Sequence, residues 1–280
     1  MFFFEEIVVP PSMTAVDIGA MILQGQIDPL ARLSQIGRLR IIGFEPQPAE
    51  CEKLNAQGRP GRRYLPYAIA DGRRRKFYVT NTGMTSSLLR PNLSFAKLFN
   101  NLAELMQVVA TPEVDTVRLD DVAEIREAGC DLLKLDTQGS EAEILANASI
   151  TLRQCLIVQT EVEFVPLYEG QPLFAEVDQL LRSHGFMFHR FLGLAGRTYK
   201  PLMVNDNPNT PLSQMLWSDA VYVPEVTRLD GLKPEALLKL AALLHEVYGS
   251  LDLCHVVLSA HDRQCGSSYS QRYFDLLSRQ

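Results

Sequence analysis

Apolar residues along the chain form short β-type runs that alternate with stretches of helical period between residues 14 and 192. Runs rich in β-branched and aromatic residues predict strands at 14–19, 39–45, 62–70, 131–136, 155–162, 185–191 and 219–223. The stretches between them predict helices at 28–36, 47–56, 95–106, 121–128, 140–148 and 173–184. This alternation predicts an α/β fold with a doubly wound, mostly parallel sheet of seven strands.

Two further strand patterns, at 76–81 and 114–119, fall outside the alternation. The Gly-, Ser- and Asn-rich segment 81–94 lies between them and predicts a flap over the carboxyl edge of the sheet. Its MTSSLL stretch, 84–89, offers hydroxyl groups to a ligand, although an ordinary polar loop explains it equally well.

The character of the sequence changes after residue 192. A long loop is predicted at 197–213, and the apolar stripe of 233–248 is typical of a helix that packs one face on a core. We divide the chain into an α/β domain, 1–224, and a C-terminal helical extension, 225–280, that packs on it. A partner-binding or membrane-associated helix is the less favoured alternative for this stretch.

Composition narrows the classes of partner. The formal net charge of −6 disfavours nucleic acid, and the basic run 73–76 is interpreted as a solvated turn. The five cysteines are odd in number and irregularly spaced, which indicates reduced thiols. The apolar start lacks the basic and small-residue features of a signal peptide, and there is no run of ~20 apolar residues. A cytoplasmic protein without a membrane partner is therefore expected.

Acidic residues occur at the ends of four predicted strands: Asp17, Glu45, Asp71 and Asp136. Carboxyl ends of parallel strands meet at one sheet edge, where ligands bind. Gly19 allows close approach of backbone there, and Glu45 is placed to accept the ribose hydroxyls of an adenosine. Each acid alone is equally well explained as a helix cap or loop residue, but four at corresponding places predict a ligand edge.

Two types of adenosine cofactor fit this edge. The G-x-G-x-x-G fingerprint of dinucleotide binding is missing, because Met21 stands where the second glycine would be. S-adenosylmethionine has no diphosphate and is therefore favoured. A nicotinamide- or nucleotide-sugar-dependent Rossmann enzyme stays open as the alternative.

Several segments in order resemble the FkbM family of S-adenosylmethionine-dependent methyltransferases. They are VDIGA, IIGFEPQP, YAIADG, VRLDDV, DLLKLDTQGSEAEIL and VQTEVEFVPLY, within 14–192, and LKLDTQGSEAEIL (133–145) matches the family signature K-[IL]-D-x-[EQ]-G-x-E most sharply. The resemblance implies a Rossmann-like sheet of order 3-2-1-4-5-7-6, whose antiparallel last strand would be 219–223. It also implies O-methylation of a hydroxyl on a sugar or small metabolite.

The resemblance assigns cofactor contacts position by position. It places Asp17, Gly19 and Ala20 at the methionine end, Glu45 and Pro46 at the ribose, Ala70 or Asp71 at the adenine, and Asp136 and Gln138 beside the methyl group. The chain departs from the family loop, because Met21 replaces an asparagine and the next glycine, Gly25, lies further on. A non-catalytic binding module on the same scaffold is therefore the alternative function.

Methylation of an alcohol requires a group that removes its proton. Asp136 is the first candidate by position, and Glu161, Glu141 and His189 are the alternatives. Glu141 also suits the first turn of a helix, and His189 suits a packed strand position. No metal site is predicted. The expected partner is a small-molecule or saccharide acceptor, and a homodimer stays open.

Overall fold

The computed structural model describes residues 3–19 and 28–279. Its strands are β1 (Met13–Ile18), β2 (Leu39–Phe44), β3 (Arg62–Leu65), β4 (Ala68–Ile69), β5 (Arg74–Lys76), β6 (Val79–Thr80), β7 (Val108–Ala110), β8 (Glu113–Val117), β9 (Leu132–Leu135), β10 (Ile157–Glu163), β11 (Phe186–Phe191), β12 (Ala195–Arg197) and β13 (Gln214–Pro224). Its α-helices are α1 (Ala31–Gln35), α2 (Pro48–Ala56), α3 (Leu93–Ala96), α4 (Leu102–Leu105), α5 (Ala123–Ala128), α6 (Glu141–Ala146), α7 (Ser149–Leu152), α8 (Phe174–Ser183), α9 (Pro234–Glu246), α10 (Leu251–Cys265) and α11 (Tyr269–Leu277).

The central sheet is mixed but mostly parallel, as predicted. Its strands follow the order β3-β2-β1-β9-β10-β13-β11, and β12 adds to β13 as an eighth strand within the described residues. Numbered along the chain, the seven strands of this path lie in the order 3-2-1-4-5-7-6. β13 runs antiparallel to both β10 and β11. The predicted count of seven strands was wrong because β12 was not predicted. This strand has only three residues and is followed by a sequence rich in Pro and Asn, which predicts a loop.

Both faces of the sheet are covered, which explains why its strands read as nearly continuous apolar runs. Ala15, Ile41 and Leu132 point into one core, while their neighbours Val16 and Ile42 point into the core on the other face. Helices α9 and α10 contribute to the core on the first face, and helices α5 to α8 contribute to the core on the second face.

The C-terminal helices pack on the sheet. α9 buries the predicted stripe that includes Leu237, Leu240 and Leu244, and it also buries Ala242 and Leu243. The additional burial arises because α10 packs against α9. Residues of α9, α10 and the sheet belong to one continuous hydrophobic cluster.

Segment 72–110 covers the carboxyl edge of the sheet. It carries β5, β6, α3, α4 and β7, and Phe99, Leu102 and Met106 pack with Tyr168 and Leu216 in a separate small core. The predicted flap at 81–94 is therefore confirmed in its position.

Three predictions of local structure were wrong. The strand predicted at 62–70 is two strands in different sheets, because Pro66 between them cannot donate a ladder hydrogen bond. The helix predicted at 95–106 is two short helices, separated by Asn101 with a φ of 63°. The basic run expected as a turn contains β5, where Arg74 pairs with Glu113 and Arg75 with Glu143.

Candidate functional site

A cavity of about 830 Å³ opens at the carboxyl edge of the central sheet. Residues at the ends of β1, β2, β9 and β10 form its base, and Thr82–Ser86 with Leu88, Leu102 and Met106 form its roof. The cavity lies beside β1 and β9, where the order of strands along the chain reverses, which is the usual ligand position in open α/β sheets. Its volume lies in the upper part of the roughly 300–1,000 Å³ range of small-molecule sites.

Gly19, at the end of β1, packs directly on the backbone of Asp136, at the end of β9. A Cβ atom at position 19 would lie 1.8 Å from the Asp136 carbonyl oxygen, and the residue has a φ of +81°. Both features require glycine. The amide of Asp136 donates to the carbonyl of Ile18 at 3.0 Å, which holds the two strand ends together.

Asp136 and Glu161 are joined through the amide of Gln138. The Gln138 Nε2 atom donates to Asp136 Oδ1 at 2.8 Å and to Glu161 Oε2 at 2.6 Å. Gln138 Oε1 lies 3.1 Å from the Tyr168 hydroxyl, and Gln138 O accepts from Ser87 Oγ at 2.7 Å. Gln138 has a φ of 60°, a left-handed conformation that non-glycine residues adopt mainly where the surroundings enforce it.

Glu141 fixes the loop that carries these groups. Its carboxylate accepts from the backbone amide and the hydroxyl of Thr137 and from the amide of Gly139, at 2.6–2.9 Å. Glu141 is buried and stands outside the cavity lining formed by the described residues. The sequence hypothesis that Glu141 is a catalytic base is therefore corrected: its carboxylate satisfies the N-terminal amides of the loop and helix α6.

Burial and crowding of acids raise proton affinity in the base of the cavity. Burial is the largest cause that raises the pKa of Glu161 well above its ordinary value, and the charge of Asp136 adds to it. Burial likewise raises the pKa of Glu163 and of Asp219. Burial raises the pKa of Glu141 to about 7, against the opposing effect of its hydrogen bonds. A carboxylate with a raised pKa is a stronger proton acceptor than an exposed one.

Glu45 lies at the tip of β2 and lines the cavity together with Pro46. Its carboxylate accepts from the amide of Gln47 at 2.9 Å, and burial raises its pKa. Ala70 and Asp71, which the sequence assigned to the adenine, lie outside the lining that the described residues form. Asp71 instead bonds the turn at Arg73. The lining there consists of Tyr67, Ala68 and Ile69, because the predicted strand ends at Leu65 and the chain turns into another sheet.

Asp17 is paired with Lys134 across β1 and β9. The Lys134 Nζ atom lies 3.3 Å from Asp17 Oδ1, and the charge of Asp17 is the main cause that raises the pKa of Lys134. Lys134 lines the cavity, whereas Asp17 lies just below the lining defined by the described residues. Its assignment to the methionine end stays a prediction. Ala20, Met21 and Gly25 lie outside the described residues.

His189 lies away from the cavity, on the sheet face that carries α10. Its Nε2 atom is 2.8 Å from the Ser250 hydroxyl, and burial lowers its pKa. It lines a separate small depression with Asp252 and Val256. The hypothesis of a catalytic His189 was therefore wrong, because β11 is an outer strand whose side chains at this position point toward the C-terminal helices.

The sequence analysis missed several residues of the cavity. Lys134 stands within the signature segment, and Glu163 follows Glu161 at strand spacing, so both carried a usable signal. Glu161 and Glu163 both lie on β10. Tyr168 ends the VQTEVEFVPLY segment that carries the family resemblance. Arg197, Trp217 and Asp219 had no local signal, because distant turns bring them to the site.

Within residues 3–19 and 28–279, no cluster of three or more His, Cys, Asp or Glu side chains has the arrangement of a metal site. No helix in that same part of the chain is long and apolar enough to span a bilayer.

The fold and the site define a Rossmann-like α/β protein with a small-molecule cavity at the carboxyl ends of its parallel strands. A model of the methyltransferase FkbM domain matches residues 17–188, which is more than half of the chain. The chain therefore belongs to the FkbM family of methyltransferases, whose cofactor is S-adenosylmethionine, and the predicted resemblance and cofactor are confirmed. A search of curated proteins found no match.

Among solved structures, the chain is similar to magnesium protoporphyrin IX methyltransferase from Synechocystis PCC 6803 with bound S-adenosylmethionine. The two are 13% identical, with a TM-score of 0.34, and the match covers 78% of this chain and 73% of the other. A protein of the NADB-Rossmann superfamily from Streptococcus agalactiae is 10% identical, with a TM-score of 0.36 over 93% and 94% of the two chains.

Proposed function

We propose that the protein methylates a hydroxyl group of a sugar or small metabolite. The observation that carries the proposal is the pair of half-buried carboxylates, Asp136 and Glu161, held by Gln138 at the base of a cavity large enough for two ligands. An alcohol must lose a proton during methylation, and a carboxylate of raised pKa, shielded from water, is suited to accept it.

The residues at the ends of β1 and β2 fit S-adenosylmethionine. Gly19 has no side chain and lines the cavity, so a ligand can approach the backbone of the strand end. Glu45 lines the same cavity with a carboxylate for the ribose hydroxyls, and Tyr67, Ala68 and Ile69 offer an apolar wall for the adenine. When bound, S-adenosylmethionine supplies an electrophilic methyl group.

Glu161 is the proposed proton acceptor, in preference to the first sequence candidate, Asp136. Both carboxylates accept a hydrogen bond from Gln138, but Glu161 lies on β10, further from the β2 end of the sheet and nearer the acceptor side of the cavity. Burial also raises the pKa of Glu161 well above its ordinary value. Asp136 keeps the proton affinity of Glu161 high through its charge, and Gln138 fixes the direction of the Glu161 carboxylate. Tyr168 holds Gln138 in turn. A positioned base of this kind contributes roughly 100- to 10,000-fold to the rate.

The proposal is tested by incubating the full chain with methyl-labelled S-adenosylmethionine and a panel of neutral and acidic sugars, followed by NMR of the products. We expect a methyl ether to form, and Glu161→Gln to reduce its formation at least 100-fold while leaving cofactor affinity unchanged. Glu169→Gln, an exposed acid on the same side of the chain, is the control and retains the rate. Label on nitrogen, or no transfer by a chain that fails to bind the cofactor, contradicts the proposal and favours the binding-module alternative.

A further inference from the structure

Charge is distributed unevenly over the lining of the cavity. Two cationic side chains, Lys134 and Arg197, are among the described residues that line it. Lys134 is paired with Asp17 at 3.3 Å. The acids of the lining lie at the ends of β2, β9, β10 and along β13: Glu45, Asp136, Glu161, Glu163 and Asp219. Arg197 is therefore the cation of this described lining whose charge is not matched by a carboxylate.

Arg197 is held against an aromatic ring. Its guanidinium carbon lies 5.3 Å from the centre of the Trp217 ring, and its Nη1 atom donates to the carbonyl of Gly196 at 3.1 Å. Arg197 takes part in none of the ion pairs of residues 3–19 and 28–279, so no carboxylate oxygen of these residues lies within 4.0 Å of its guanidinium nitrogens. Burial lowers the pKa of Arg197, so its charge is partly removed from water without a counter-ion. Such a guanidinium is a strong site for a planar anion.

The backbone around Arg197 is built to hold it there. A Cβ atom at Gly196 would lie 2.3 Å from the carbonyl oxygen of Gln214 and 2.8 Å from Cβ of Pro211. Only glycine lets β12 approach β13 and the loop before it this closely. An irregularity in the pairing of Ala195 and Gly196 with β13 re-aims the following side chain. Arg197 thereby faces the cavity beside Trp217.

Arg197 lies on the acceptor side of the cavity and not on the cofactor side. Four strand intervals separate β2, which carries Glu45, from β13, which pairs with β12; at about 4.8 Å per interval this is roughly 19 Å. Trp217 pairs across the ladder with Glu163, two residues beyond Glu161 on β10. An anion at Arg197 would thus belong to the molecule whose hydroxyl meets Glu161.

We propose that Arg197, stacked on Trp217, binds an anionic group of the methyl acceptor, so that the acceptor is an acidic sugar or a sugar phosphate. The inference rests on the proposed function in one respect, namely that the acceptor lies on the β10 and β13 side. A carboxylate and a phosphate both match the guanidinium fork with two parallel hydrogen bonds. The acids elsewhere in the lining repel such a group and leave one orientation for the acceptor.

The test measures binding by the full chain loaded with S-adenosylhomocysteine. Glucose, glucuronate and glucose 6-phosphate are titrated in turn and followed by ligand-observed NMR at low salt. We expect one or both acidic sugars to bind at least tenfold more tightly than glucose, and the stronger of the two identifies the carboxylate or the phosphate. Arg197→Gln should reduce the acidic sugar to the level of glucose, and Arg197→Lys should retain part of the preference.

The control variant is Lys200→Gln, which removes one positive charge from the same segment at an exposed position outside the described lining. It should leave the preference unchanged. Equal or undetectable binding of all three sugars, or an undiminished preference in Arg197→Gln, overturns the inference. Failure of the proposed function shows separately: the chain then binds no S-adenosylhomocysteine in the loading step, or it transfers no methyl group to a hydroxyl in the labelling experiment.

Discussion

The packing of Gly19 on Asp136 makes a sharp prediction for Gly19→Ala. The new methyl group would lie 1.8 Å from the Asp136 carbonyl oxygen, whereas ordinary contact begins at 3.4 Å, so the strand ends must separate by about 1.6 Å. The φ of +81° adds about 1–2 kcal/mol for a non-glycine residue. Loss of the Asp136–Ile18 backbone hydrogen bond adds about 0.5–1.5 kcal/mol. Together these contributions should lower the free energy of unfolding by about 1.5–3.5 kcal/mol.

The same displacement moves the Asp136 carboxylate by more than 1 Å, which is expected to cost about 100-fold in turnover. Gly37→Ala is the matched control, because Gly37 has a φ of +71° and a Cβ there would meet no described atom within 4 Å. This variant should lose only about 1–2 kcal/mol, the conformational cost alone. Urea denaturation followed by circular dichroism measures both variants. If Gly19→Ala loses no more stability than Gly37→Ala, the close contact with Asp136 does not exist.

Three further predictions concern single carboxylates. Glu45→Ala should weaken S-adenosylhomocysteine binding by about 1.5–3 kcal/mol in calorimetry, because charge-assisted hydrogen bonds to the ribose are lost. Glu50 is an exposed acid of α2, and Glu50→Ala should leave the affinity unchanged. Equal affinities of the two variants would remove Glu45 from the ribose site. Glu141→Ala leaves three hydrogen-bond donors of the 137–139 segment unpaired. The free energy of unfolding, measured by urea denaturation, should therefore fall by about 2–4 kcal/mol. An unchanged value would contradict the role of Glu141 in fixing that loop. The pKa of Glu161 is raised in the folded state, so its protonated form stabilises the fold at low pH, and this contribution is lost as pH rises through the raised pKa. The free energy of unfolding should therefore fall less between pH 5 and pH 8 in Glu161→Gln than in the natural chain. An equal fall in both would show that Glu161 titrates normally.

The sequence predicted the parts of the fold that depend on local pattern. The seven strands on the sheet path and the helix at 233–248 follow from apolar runs and stripes, and the structure places elements in each of these regions. The errors occur where tertiary pairing overrides local preference. β12 forms because β13 provides an edge for Ala195–Arg197, which no pattern within those three residues indicates.

The candidate site was predictable where residues follow a strand of the parallel sheet. Gly19, Glu45, Asp136 and Gln138 all line the cavity, because the ends of β1, β2 and β9 meet at one edge. Asp71 failed because Pro66 ends the strand early and sends the chain into another sheet. His189 and Glu141 were chosen by their position along the chain. The structure places the His189 side chain against Ser250 and the Glu141 carboxylate against Thr137, outside the cavity lining.

Trp217 and Arg197 show the limit of reasoning from sequence alone. Trp217 lies 54 residues after Glu163 and Arg197 lies 34 residues after it. Trp217 reaches the site because its strand, β13, pairs with β10, which carries Glu163. Arg197 lies on β12, so the long loop between β12 and β13 decides where its side chain points. Loop conformation depends on contacts such as that of Gly196 with Pro211, which a single sequence does not reveal.

A crystal structure of the full chain with S-adenosylhomocysteine tests the central claim most directly. We expect the ligand to lie across the ends of β1 and β2 beneath the 82–88 roof, with its ribose hydroxyls on Glu45 and its sulfur facing Asp136 and Glu161. Density for the ligand at another surface, or Glu45 turned away from a ligand that occupies the cavity, would contradict it.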